Sequence, residues 1–243
     1  MRSLPNKELS DVEIYGAILK GKLSSGAEAT ICESDKSYSV YKIFTENGRI
    51  LKMGTNKEEK LNMLYQKDLD FCPKIFSTIS YNGFLVGYEM SYDDELVSHP
   101  EYSIVINKEE FLHFLKKSKE ILEYFKENDV LYGDVACRNI LFNRVTGEMA
   151  FCDMDNVKIG YHQIDTMPMD LFDYEDRRGI DYGVHPYMHN KMLLRMLGYD
   201  EFCVDHALFR KYLKLCTRNT IASMIKPEDF DEKYLIDFVR KLK

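Results

Sequence analysis

Three polar side chains near the middle of the chain have types and spacing that could share one piece of chemistry. Asp134 and Asn139 stand five positions apart in Val130-Leu-Tyr-Gly-Asp-Val-Ala-Cys-Arg-Asn-Ile-Leu-Phe142, a mostly apolar segment. Asp153 follows in Phe151-Cys-Asp-Met-Asp-Asn156, again entered from apolar residues. Carboxylate and amide oxygens are hard ligands for divalent cations, and a carboxylate also accepts protons. Each residue alone reads as an ordinary turn residue at a strand end. In this order, bracketing one short hairpin, they read as a group.

The elements that must position them are legible in outline. The first ninety residues predict strands at Ala17–Leu23, Thr30–Glu33 and Tyr38–Phe44, separated by Ser24-Ser-Gly26 and Ser34-Asp-Lys36. A charged helix is expected over Asn56–Gln66, with Leu61, Leu64 and Tyr65 on one side. Strands at Lys74–Ser80 and Phe84–Met90 meet at Asn82-Gly83, a strong hairpin signal. Helical spacing of Phe111, Leu115, Ile121, Leu122 and Phe125 predicts a helix over Glu110–Asn128, with Asn107 and Glu110 as a capping box. Short strands are expected at Ile140–Phe142 and Met149–Cys152 around Thr146-Gly147, and late helices at His189–Leu197, Ala207–Leu215 and Glu232–Leu242. Strands first and helices later make an α+β protein.

With this order of elements, the central motifs resemble the protein-kinase superfamily. Its catalytic loop is His-Arg-Asp-x-x-x-x-Asn and its metal loop Asp-Phe-Gly. The resemblance implies a two-lobed kinase-like fold: a strand-rich N-lobe over residues 1–91 and a helical C-lobe over 92–243. It implies that Asp134 faces the acceptor hydroxyl, and that Asn139 and Asp153 hold Mg²⁺. Phosphoryl transfer needs positioning and cations more than covalent help from the protein.

The N-terminal half fits the same resemblance. Lys42, in Val40-Tyr-Lys-Ile-Phe44, resembles the lysine of the family's Val-Ala-Ile-Lys strand, a point charge for the ATP phosphates. The turn Ser24-Ser-Gly-Ala-Glu-Ala-Thr-Ile31 departs from Gly-x-Gly-x-x-Gly. Gly26 fits the middle glycine, and the Gly26-Ala27-Glu-Ala string looks like the phosphate loop of minimal atypical kinases. Glu58 is the expected partner of Lys42 on the next helix, with Glu59 as the alternative. Met90-Ser91-Tyr92 resembles the hinge strand, whose backbone at Ser91 and Tyr92 would meet adenine.

Several positions depart from the family pattern. Tyr132-Gly133 replaces His-Arg, so a switch through a phosphorylated activation loop loses its usual anchor. Asp153-Met-Asp155 replaces Asp-Phe-Gly; Asp155 reads as a second Mg²⁺ ligand or a turn carboxylate. Asp181 looks like the aspartate that braces the catalytic loop. The segment 156–178 is acidic, which suits basic substrates or a solvated loop. His185 and His189, four apart with Pro186 between, read as structural or surface residues rather than a metal pair.

Composition bounds the rest. With 243 residues and 45% apolar content the chain is long enough for a real core. A net charge of −7 without a long basic run gives no reason to expect a nucleic-acid partner. No apolar run is long enough to span a membrane. Six scattered cysteines without a Cys-x-x-Cys pair read as reduced thiols, hence a cytoplasmic chain. The short distance from Tyr92 to Asp134 leaves room for one long helix, which favours a protein substrate. Gly133 and Asp155 favour the alternative, a small hydroxyl-bearing acceptor as in aminoglycoside- or choline-kinase-like enzymes. A nucleotide-binding pseudokinase is the non-enzymatic alternative.

Overall fold

A computed structural model describes residues 3–26, 28–46, 56–98, 108–143, 145–165, 181–186, 188, 189 and 192. They form a mixed α and β structure in two compact units: Met1–Glu95 with Ala150–Thr166, and Leu96–Met149 with Met167–Lys243. The sequence predicts a single division after residue 91; the chain instead returns to the first unit for Ala150–Thr166.

The first unit is built on a six-stranded sheet. Its strands are β1 (Asn6–Glu8), β2 (Lys22–Ser25), β3 (Ala29–Glu33), β4 (Ser39–Phe44), β5 (Ile75–Tyr81) and β6 (Phe84–Ser91), in the order β1-β5-β6-β4-β3-β2. β1 runs parallel to β5, and the other neighbours are antiparallel. The β5–β6 hairpin turns at Asn82 and Gly83, both at positive φ (50° and 75°), as Asn-Gly predicts.

Between β1 and β2 lies helix α1 (Asp11–Gly21), where the sequence predicts a strand over Ala17–Leu23. The signal for the helix sits upstream. Ser10 and Glu13 form a capping box: Glu13 N donates to Ser10 Oγ at 3.3 Å, and Ser10 N donates to Glu13 Oε2 at 2.8 Å. Ile14, Ala17 and Ile18, at helical spacing, then pack on Leu9, Cys32, Tyr41, Ile43 and Ile79. This fixes the orientation of β4. Tyr41 and Ile43 face α1, so the alternate side chains, Val40, Lys42 and Phe44, point away from it. β6 then approaches β4 so closely that a Cβ at Gly87 would lie 2.3 Å from the Lys42 carbonyl oxygen, a place only glycine fills.

Helix α2 (Lys57–Lys67) buries Lys57, Lys60, Leu61 and Leu64, an i, i+3, i+4, i+7 face. The segment Ala150–Thr166 supplies most of β10 (Met149–Phe151), a 3₁₀ turn at Met154–Asn156 and the short strand β11 (Lys158–Ile159). Phe151 N donates to Phe71 O at 2.7 Å, which ties this segment to the residues after α2.

In the second unit, helix α3 (Lys108–Glu127) leads to β8 (Val130–Leu131), a 3₁₀ turn at Cys137–Asn139 and β9 (Ile140–Phe142), which pairs antiparallel with β7 (Val97–Ser98). The expected capping residue Asn107 lies outside the described residues, as do the helices expected at Ala207–Leu215 and Glu232–Leu242. After β9 the chain turns at Thr146-Gly147: Gly147 has φ 76° and donates its N–H to Asn143 O at 2.8 Å. Phe114 of α3 meets Phe142 edge-on with ring centroids 5.7 Å apart, and Phe125 stacks on Tyr132 at 6.1 Å. Among the described residues no helix is long and apolar enough to cross a membrane.

Candidate functional site

Lys42 is the centre of a charged cluster in the first unit. On the face of β4 turned away from α1, its Nζ donates to Asp153 Oδ1 and, at 2.5 Å, to Asp155 Oδ1. Tyr88 stands opposite Lys42 in the β4–β6 register, and its hydroxyl donates to Asp155 Oδ1 at 2.9 Å. Burial alone would lower the Lys42 pKa, but the Asp153 and Asp155 carboxylates reverse this and hold it well above its ordinary value. Burial, reinforced by Asp155, raises the Tyr88 hydroxyl well above its own, so it stays an O–H donor.

The two aspartates differ in environment. Asp153 adopts a left-handed backbone conformation (φ 62°, ψ 33°) and its side chain is 35% exposed. A non-glycine residue there is held in a sparsely populated region, which points to a constraint imposed by its surroundings. Asp155 is 1% exposed and both of its oxygens are engaged, Oδ1 by Lys42 and Tyr88 and Oδ2 by Lys57 Nζ at 2.9 Å. Asp155, expected as a second Mg²⁺ ligand or a turn carboxylate, is here a buried anion met by two ammonium groups and a hydroxyl. Asp153 is the carboxylate with open access, and its hard oxygens suit Mg²⁺. Among the described residues no three His, Cys, Asp or Glu side chains gather to hold a metal by themselves.

The expected partner of Lys42 is also corrected. Glu58 is exposed, and so is Glu59, whose Oε2 accepts from the Tyr161 hydroxyl at 2.7 Å. The buried face of α2 carries Lys57 and Lys60 instead. Lys57 donates to Asp155 O and to Asp165 Oδ2; Lys60 donates to Asp165 Oδ1 at 2.5 Å and Gln163 O at 2.6 Å. The sequence signal was present in the spacing of Lys57 and Lys60 with Leu61 and Leu64, since buried lysines share an apolar face only where anions meet them. Lys57, Lys60, Asp165 and Tyr88 are the residues that sequence reasoning missed.

The nucleotide contacts expected elsewhere in this unit fare unequally. Gly26 lies between β2 and β3 and closes their turn by donating its N–H to Ala29 O at 2.9 Å. Ala27 lies outside the described residues. Met90 is paired in the sheet with both Val40 and Ile75. The N–H groups of Ser91 and Tyr92 donate to Lys74 O and Tyr38 O, both at 2.8 Å. Those two donors are consumed by the protein, so they are not the groups that could meet an adenine edge.

The second unit holds a separate polar cluster. Asn139, on the 3₁₀ turn, donates Nδ2 to Asp134 Oδ2 at 2.7 Å and to Asp134 O at 3.0 Å. Arg138 Nη2 lies 3.0 and 3.2 Å from the two Asp134 oxygens. The loop carrying Asp134 is anchored by a histidine: Tyr132 N donates to His185 Nε2 at 2.8 Å. Burial pushes the His185 pKa down to about 4, with the Leu122 backbone opposing, so the ring accepts this bond in its neutral form. Asp181 accepts from Gly183 N at 2.8 Å. His189 is buried and bonds Ser118 Oγ through Nε2 at 2.7 Å, and burial takes its pKa to about 3. Both histidines are structural; neither is at the surface.

No protein-family model matches the chain, and no curated protein matches it.

Proposed function

We propose that the chain is an ATP-dependent phosphotransferase of the two-lobed protein-kinase-like type, moving the γ-phosphate to a hydroxyl, with a protein as the favoured acceptor. The observation that carries this reading is the convergence of Lys42 with Asp153 and Asp155 from a segment more than a hundred residues later in the chain. An ammonium beside a partly exposed carboxylate is a pairing that suits Mg²⁺-ATP chemistry, the first for the phosphates and the second for the cation.

In this reading Lys42 leaves Asp153 for the phosphates, while Asp155 keeps Lys57 and Tyr88 as partners. Asp153 would ligate Mg²⁺ from the first unit, and the cation when bound would neutralise charge on the phosphates. Asp134 accepts the proton of the incoming hydroxyl, and Arg138 and Asn139 fix its orientation.

The test is incubation of the purified chain with labelled ATP, Mg²⁺ and a panel of proteins, aminoglycosides and choline. Transfer should occur to one class, and Lys42→Ala and Asp134→Asn should each reduce it by at least ~100-fold. Asp153→Asn should weaken Mg²⁺-dependent nucleotide binding. Nucleotide binding without transfer to water or any acceptor would leave a binding module in place of an enzyme.

A further inference from the structure

The first unit contains more buried charge than its phosphate-facing lysine needs. Five side chains alternate in sign along one chain of contacts: Lys42, Asp155, Lys57, Asp165 and Lys60. None has a side chain more than 9% exposed. With Asp153, three ammonium groups face three carboxylates. Apolar residues in place of the whole network, lysines and aspartates together, would avoid the desolvation cost of all its charges, so stability alone does not call for it.

Its connections are directed at one loop. Lys57 uses its three donors on Asp155 O, Asp155 Oδ2 and Asp165 Oδ2. Lys60 takes Gln163 O and Asp165 Oδ1. Asp165 N donates to Asn156 Oδ1 at 3.0 Å, closing the loop on itself. Helix α2 thus grips both ends of the segment 155–165 through two lysines one turn apart.

We infer that Lys57, Lys60 and Asp165 form a positioning clamp that sets Asp153 and Asp155 against Lys42 and keeps Asp155 neutralised when Lys42 turns to a ligand. The clamp inverts the polarity expected of this helix: cations on α2 hold an anion of the loop, where Glu58 was expected to hold Lys42. Lys57 is the essential member. Without it, any phosphate that drew Lys42 away would strand the Asp155 carboxylate in a buried site, and the ligand would have to overcome that cost. The clamp residues touch no substrate in this scheme; they act through Asp155. The inference rests on the proposed function only for the identity of the ligand.

Two measurements on the full chain test it, one without any ligand. Amide hydrogen exchange of the unliganded protein should show the segment 153–165 exchanging at least ~10-fold faster in Lys57→Met and Asp165→Asn, with strands β3 to β6 unchanged. Lys57→Arg, which keeps the charge, should restore most of the protection. The second measurement is the melting-temperature shift caused by ATP with Mg²⁺. Lys57→Met should lose most of the wild-type shift and Lys57→Arg should recover it. Unchanged exchange over 153–165 in folded Lys57→Met overturns the clamp, as does a wild-type nucleotide shift in that variant. Should Lys57→Met fail to fold, Asp165→Asn and Lys57→Arg carry the same comparison. Altered exchange in the variants, with no nucleotide shift even in the wild type, would uphold the clamp and sink the phosphotransferase reading.

Discussion

The aspartates of the two units are held by opposite strategies. Asp155 is buried, and its partners Lys42, Tyr88 and Lys57 lie 113, 67 and 98 positions away in sequence. Asp134 is partly exposed, and its partners Arg138 and Asn139 lie within the next turn. The first carboxylate depends on the folded sheet and α2 to be neutralised. The second takes Arg138 and Asn139 from its own loop. Removing the first side chain should therefore damage the fold far more than removing the second.

The largest expected effect breaks that contrast if it fails. Asp155→Ala leaves Lys42 and Lys57 buried beside one another and should cost about 3–5 kcal/mol in urea unfolding. Asp134→Asn should cost no more than ~1 kcal/mol in the same assay, because Arg138 is half exposed and solvent replaces the contact. Equal losses at both positions would end the distinction.

Acid sharpens the comparison from the side of the second unit. His185 has its folded pKa lowered from 6.5 to about 4, so its contribution is fully present above pH 6.5. It is lost as pH falls from 6.5 through 4, to a total on the order of 3 kcal/mol. The urea midpoint of the wild type should fall over that window, and His185→Gln should flatten the slope. Lys42, raised by its carboxylates, contributes fully below pH 10.5 and is lost only above it, so its own titration adds no slope to the acid window.

A smaller effect tests how β4 presents Lys42. Gly87→Ala must move either β6 or the Lys42 backbone and should cost roughly 1–3 kcal/mol. If the protein keeps its stability and its nucleotide-induced shift, the close approach of the two strands has no part in placing Lys42.

The same contrast explains what could be read from the chain. Ile140–Phe142, the Asn82-Gly83 hairpin and the Asp134–Asn139 spacing are local features, and the structure contains each of them. α1 was misread because the strand-like residues after Ile14 outweighed a capping box that begins at Ser10. The expectation weighed only the carboxylates Glu58 and Glu59 as partners of Lys42, whereas both are exposed and the buried face carries Lys57 and Lys60. The spacing of Lys57 and Lys60 with Leu61 and Leu64 marks the buried face of α2, but the anion that meets it, Asp165, lies 108 positions on and is invisible to local spacing. That the N–H groups of Ser91 and Tyr92 are taken by Lys74 O and Tyr38 O is likewise not legible in the sequence, because backbone donors carry no sequence label.

The left-handed backbone at Asp153 has a practical corollary for mutational scanning. Asparagine and glycine tolerate that geometry, whereas alanine adds about 1 kcal/mol of conformational penalty to the lost charge. An alanine scan would therefore inflate the apparent worth of this side chain. A three-way substitution series of asparagine, glycine and alanine separates electrostatics from main-chain tension at a single locus.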